Sequence, residues 1–300
     1  MGSTSASEAE RGGDPDGFAS GAGRSPAGSP PGDAAAGARR ARLAAVPALL
    51  VAVLAIWEAI AAQRAGAGVP GDEAWARAAA VVRAGHRPGD LIVFAPDWID
   101  PVGRLHLGDL ISLGDAARMD AARYDRIWEL SIRGARSRDT EGRAPVETRD
   151  VGGVVVRRFE RAPGSFELRA DLRTLVSAAR VEGAAARPPA VELAEVGFAP
   201  HRCILVVPRP GAPVRITFPA LPAGELVGYV GLADVFTRRD ERRPGRLTAL
   251  QAGRALAEVT AGVEDGWLRF AAPVAGGDVT FVAASDGPNR QICFAAEVRR

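Results

Sequence analysis

The densest set of groups able to do chemistry is Asp97-Trp-Ile-Asp100-Pro-Val-Gly-Arg104-Leu-His106-Leu-Gly-Asp109. Asp97, Asp100 and Asp109 could bind a cation through oxygen, and His106 could join them or act as a general base. Trp98 and Arg104 add an aromatic face and a forked anion donor, the side chains expected of a ligand site. The cluster follows the apolar run Leu91–Ala95, read as a buried strand, and ligands in α/β sheets bind beyond the carboxyl ends of strands. The competing reading is an ordered loop whose aspartates cap helices and shape turns; Asp109 and Asp115 are read as caps first. The spacing matches neither a calcium loop nor His-Glu-x-x-His, so no metal site is assigned.

Cys203 and Cys293 are the only cysteines, and each sits in an apolar run. In an oxidising compartment they could close a disulfide; otherwise they are two buried thiols packing as small hydrophobes. Neither lies in an exposed electropositive turn of the kind that makes a cysteine reactive. The three histidines, His86, His106 and His201, are too scattered for a histidine metal centre, and His201 reads as a surface residue at the start of a strand. Trp267, with the 229–236 region, offers a possible platform for a sugar ring, weighed against ordinary core packing. No Gly-x-Ser-x-Gly, phosphate-binding loop or Gly-x-Gly-x-x-Gly appears in the structural context its chemistry needs, so no reaction and no cofactor is assigned.

These residues need elements to position them, and the first element along the chain is an apolar helix. Residues 1–38 contain no Leu, Ile or Val and are expected to be a disordered cytoplasmic tail. Arg39, Arg40 and Arg42 lead into Leu43–Trp57, which carries no charge, and Ala59–Ala62 continue the run beyond Glu58. A helix over about 20 such residues spans roughly 30 Å, the depth of a bilayer's hydrocarbon core. Residues 39–64 are therefore read as a transmembrane signal-anchor, with the bilayer as partner of 43–62. The arginines place the N-terminus in the cytoplasm and the rest outside it, in the periplasm or its equivalent. A cleaved signal peptide and a buried soluble helix are the alternatives.

After a linker at 65–71, the spacing of Ala74, Trp75, Ala78, Ala79 and Val82 predicts a helix. With strands at Leu91–Ala95, Arg126–Ile132 and Val151–Phe159 it predicts a small α/β domain over 72–162. Residues 163–200 read as an irregular connection. From His201 the texture is all-β, with seven short strands separated by turns, which predicts a jelly-roll-like β-sandwich over 201–300. Net charge is +2, and all 38 basic residues are arginine, a bias of GC-rich bacterial genomes. Acidic residues nearly balance the arginines and no dense arginine stretch pairs with aromatics, so nucleic acid is excluded as partner. The charged run Arg238–Arg243 reads as a solvated loop that could also touch anionic headgroups or an acidic glycan.

Two resemblances follow from particular residues. Arg87-Pro-Gly-Asp-Leu-Ile-Val-Phe-Ala-Pro-Asp-Trp98, with Asp125-Arg-Ile-Trp-Glu-Leu130, is similar to the extracytoplasmic α/β segment of lipid-linked-sugar membrane glycosyltransferases. That resemblance covers about 72–132 and carries no catalytic residue over, because the polytopic catalytic part of those enzymes has no counterpart in this chain. Gly266-Trp-Leu-Arg-Phe270, Gly277-Asp-Val-Thr-Phe281 and Arg290-Gln-Ile-Cys-Phe294 resemble the final strands of galactose-binding-like jelly rolls, carbohydrate-binding modules among them. The implied function is an anchored envelope protein that binds a glycan or a membrane protein. The alternative is an accessory part of a glycosyltransferase with its site around Asp97–Asp109.

Overall fold

The computed structural model describes residues 33–66, 69–162, 165–233 and 243–300. The chain divides into two compact units, Met1–Gly66 and Ala67–Arg300. In the first, helix α1 (Asp33–Gly66) begins inside the tail expected to be disordered; the tail up to residue 32 lies outside the described residues. The window Pro47–Arg64 has a mean hydropathy of 1.4 and suffices by length and composition to cross a membrane. Leu50, Leu54, Ile56 and Trp57 are all exposed.

The second unit is mostly β. Its first sheet has the order β1 (Leu91–Ala95), β2 (Arg126–Ser131), β4 (Val154–Glu160), β3 (Glu147–Val151), with β1 and β2 parallel and the other pairs antiparallel. All eleven residues of β1 and β2 are buried, as strands covered on both faces require. Helix α2 (Asp72–Gly85) packs its Ala74, Trp75, Ala78, Ala79 and Val82 stripe on one face of this sheet, against Ile92, Phe94 and Trp128. The strand predicted at Val151–Phe159 is in fact a hairpin. Gly152 and Gly153 form its two-residue turn with φ of 66° and 92°, a left-handed pair that glycine adopts without strain.

Two further sheets pack face to face. One has the order β13 (Leu268–Val274), β10 (Gly224–Leu232), β15 (Ile292–Arg299), β8 (Ala199–Val206), β7 (Ala190–Val196), with β5 (Leu168–Asp171) pairing the far end of β15. The other has the order β12 (Arg254–Ala261), β11 (Gly245–Gln251), β14 (Gly277–Ser285), β9 (Val214–Leu221), β6 (Arg180–Glu182). Between them Phe281 stacks on Phe294 at 5.0 Å and meets Phe218 edge-on at 5.9 Å, at the centre of the core. Residues 163–200 are not an irregular connection, because they supply β5, β6 and β7 to these two sheets. Short lengths and glutamates on outward positions conceal these strands. Strand β11 was also unforeseen, since Gly245 and Arg246 prolong the charged texture before it.

The β15 strand breaks the alternation expected of a sandwich, because all eight of its residues are buried. Ile292, Phe294, Ala296 and Val298 face the core, while the opposite face carries Cys293, Glu297 and Arg299. That outer face is covered by the segment 117–124. Ala117 O accepts from Arg202 N at 2.9 Å, Met119 O accepts from Trp267 Nε1 at 3.0 Å, and Asp120 receives both terminal nitrogens of Arg299 at 2.8 and 2.9 Å.

Candidate functional site

The structure does not gather the 97–109 cluster into one site. A 3-10 turn at Asp97–Ile99 runs into helix α3 (Asp100–Leu107), whose Ile99, Gly103 and Leu107 face inward. Gly103 is required there, since a β-carbon would fall 2.0 Å from the Phe94 ring. Asp97 is exposed at the turn. Asp100 pairs with Arg104 one turn along α3. His106 Nε2 lies 3.1 Å from Asp72 Oδ1, in contact but outside hydrogen-bond geometry, and its ring lies parallel to Trp75 at 6.5 Å. Asp109 is gripped by both terminal nitrogens of Arg83 at 2.6 Å, and this hydrogen bonding holds its carboxyl below the usual carboxylate range. Asp109 is therefore an ion-pair partner and not a cap; Asp115 does serve a cap, as the third residue of a capping box whose N-cap is Ser112. Each carboxylate with a partner has a different one. No group of three His, Cys, Asp or Glu side chains among the described residues could hold a metal.

Trp267 is not a sugar platform. It lies parallel to His201 at 4.3 Å and to Tyr229 at 6.0 Å, with its indole N–H spent on Met119 O. His201 is correspondingly not a surface residue. Its Nδ1 sits 3.1 Å from Arg118 O, a contact that the Nδ1–H tautomer makes as donor. Burial under the tryptophan pushes its pKa down to about 4. The sign follows: the unfolded chain, with a histidine pKa near 6.5, binds more protons than the fold in this window. The stabilising contribution of neutral His201 is full above about pH 6.5 and is lost as pH falls through 4. Urea melts at stepped pH are expected to show the wild type losing stability between those limits and His201→Gln losing less. Parallel curves for the two proteins would contradict this assignment.

Beside this layer, Cys203 and Cys293 form a disulfide with Cα atoms 5.5 Å apart. In the β8–β15 ladder Cys293 is opposite Leu205, so Cys203 is its diagonal neighbour on the outer face. Val196 and Leu205 complete a small buried cluster around the bond.

A different surface has the form of a binding site. On the outer face of the β12-β11-β14-β9-β6 sheet, the register sets Glu182, Arg215, Val282, Thr248 and Glu258 in one row across five strands. The neighbouring row holds Ala284, Arg246 and Thr260. Small side chains at Val282 and Ala284 leave a hollow of about 520 Å³ between taller neighbours, with Arg243 and Asp286 at its rim. Arg215 and Arg246 are exposed and form no ion pair among the described residues. Thr248 Oγ1 donates to Glu258 Oε2 at 3.3 Å. Among the described residues, no aromatic side chain lines the hollow. Sequence reasoning missed it because each member is an ordinary outward position of its own strand; only the register assembles them. Of the Arg238–Arg243 run, only Arg243 falls within the described residues.

No family model matches the chain, and no curated protein matches it. Solved structures similar to it include CBM51-2 in complex with GlcNAc and INT domains from Clostridium perfringens ZmpB. The identity is 14% and the TM-score 0.32, over 53% of this chain and 38% of that one. A second is CBM51 from Clostridium perfringens GH95 in complex with methyl-galactose, at 9% identity and TM-score 0.32, over 43% of this chain and 99% of that one. A third is TmCBM61 in complex with beta-1,4-galactotriose, at 15% identity and TM-score 0.30, over 44% and 96% of the two chains. The chain spans well under half the length of the first of these.

Proposed function

We propose that this chain is a membrane-anchored binding protein whose β-sandwich takes an acidic saccharide on its hollowed outer sheet. The observation that carries the reading is the pair Arg215 and Arg246, exposed in that hollow with no carboxylate partner among the described residues. An arginine fork matches a carboxylate or phosphate in two parallel hydrogen bonds. Thr248, Thr260 and Glu258 supply the hydroxyl and carboxylate partners that sugar hydroxyls need. The described lining carries no aromatic ring to stack on a neutral sugar, so the reading rests on charge.

The anchor part of the proposal rests on Pro47–Arg64 and on the arginines before Leu43. It places the globular unit on the extracytoplasmic side. The disulfide supports that side, because such bonds persist in oxidising compartments. An accessory glycosyltransferase role around Asp97–Asp109 gains nothing from an exposed Asp97 and from Asp100 and Asp109 paired to different arginines.

Calorimetric titration of the full chain with an oligogalacturonate and with its neutral methyl ester tests the saccharide part. The acid form is expected to bind, more weakly as salt rises, and the ester is not. Arg215→Glu with Arg246→Glu is expected to lower affinity by about a hundredfold or more, from two charge-assisted pairs at roughly 1.5–3 kcal/mol each. Equal binding of acid and ester, or binding untouched by the double substitution, would sink the reading.

A further inference from the structure

The segment 97–107 has two apolar faces, and folding uses only one. Ile99, Gly103 and Leu107 point into the first sheet's core. Trp98, Val102 and Leu105 recur at spacings of four and three on the other side and are 59%, 42% and 78% exposed. A surface helix normally carries polar groups there. The polar residues on this helix do not offset the stripe, since Arg104 and Asp100 neutralise each other. Asp97 is the one carboxylate beside it with no ion pair among the described residues.

The stripe lies where the chain enters the globular unit. Leu105 is followed by His106, whose ring nitrogen meets Asp72 at the first residue of α2. Seven residues, 65–71, separate Arg64 at the end of the apolar window from Asp72. Fully extended, they reach at most about 25 Å. If Pro47–Arg64 crosses a bilayer, Asp72 and the stripe next to it are leashed within that distance of the lipid surface. Tryptophan with leucine and valine suits the headgroup boundary, where an amphipathic ring sits with its N–H in water.

We propose that Trp98, Val102 and Leu105 rest in the headgroup layer of the bilayer that the apolar helix crosses, and so fix which side of the globular unit faces the membrane. The proposal rests on the anchor part of the function above and is independent of the saccharide part. The contact is apolar, so it needs no anionic lipid and persists at high salt.

The test is tryptophan quenching in the full chain reconstituted in phosphatidylcholine vesicles with or without brominated acyl chains. Of the five tryptophans, Trp75 and Trp128 are in the core and Trp267 is stacked on His201 with its N–H bonded to Met119 O, leaving Trp57 and Trp98 as lipid reporters. The wild type and Trp57→Phe are both expected to be quenched, and Trp57→Phe with Trp98→Phe is expected to lose the quenching. A quenched wild type beside an unquenched Trp57→Phe variant would overturn the lipid contact while leaving the anchor in place. An unquenched wild type would overturn the anchor and this proposal with it. Quenching that survives in the double variant would place a different face on the lipid and overturn the contact as well.

Discussion

Glu297→Ala is expected to lower the unfolding free energy by about 3–5 kcal/mol, the cost of leaving a buried ionic cluster without one partner. Glu297 is fully buried in β15, yet three arginines converge on it: Arg123 at 2.6 Å, Arg173 at 3.0 Å and Arg299 at 2.8 Å. Asp171 and Asp120 complete the cluster, bonded to Arg173 at 2.7 Å and to Arg299 at 2.8 Å. Burial alone would raise the Asp171 pKa, but the Arg173 and Arg123 guanidiniums bring it below the usual carboxylate range. Removing the Glu297 carboxylate leaves three guanidiniums around a dry space with two carboxylates that already serve them. The cluster also joins three separate stretches of chain, since Arg123 comes from the covering segment, Asp171 and Arg173 from the end of β5 and the helical turn after it, and Glu297 and Arg299 from β15. Its loss should therefore loosen the 117–124 segment as well. For a unit of this size the melting temperature is expected to fall by on the order of 10 °C. Glu297→Gln keeps the shape and removes the charge, and should recover only a minor part. A loss below about 1 kcal/mol for Glu297→Ala would mean that water screens the cluster, as it does surface pairs.

That cluster also shows where sequence legibility ended. Strands whose pattern is local were readable: Val214, Ile216 and Phe218 alternate with Arg215 and Thr217, and β9 buries the first set and exposes Arg215. The amphipathic stripe of α2 was readable for the same reason. What could not be read were pairings set by distant chain. His201 looks like a surface residue, and Trp267 like a platform or a core ring, until segment 117–119, well over fifty residues away from either, packs against them. Strand β15 did hold a usable signal. Glu297 and Arg299 interrupt an apolar run at alternate positions, the mark of a strand whose second face is covered by something charged. The hollow with Arg215 and Arg246 left no such mark, because an outward arginine on an alternating strand is the ordinary case. The 97–109 cluster misled for the opposite reason. Closeness in sequence is not convergence in space on a helix, where Asp100 and Arg104 neighbour each other while Asp109 reaches across to α2.

Replacing both cysteines by alanine is expected to cost about 4–5 kcal/mol, on the chain-entropy account of a loop of this length. The bond joins residues separated by 90 positions, so the unfolded ensemble it restricts includes β9 to β14, with every strand but β6 of the sheet that holds the hollow. Alanine is the informative replacement. The site is a fully buried apolar pocket with Val196 and Leu205, where a serine hydroxyl would add its own burial cost. The bond also ties β8 to β15 at the end of their short shared ladder, which spans only Ile204–Val206. Reduction should have the same effect: wild type in strong reductant is expected to unfold at the denaturant midpoint of the double-alanine protein. If the double-alanine protein unfolds within about 1 kcal/mol of wild type, the covering layer and the ionic cluster hold the sandwich closed without the bond. The oxidising-compartment argument would then lose its energetic basis, although the anchor would remain testable by the quenching experiment. If the full cost is seen, a chain made where thiols stay reduced starts with a sandwich weakened by a large share of a typical domain's total stability. The fold itself would then favour the oxidising side proposed for the globular unit.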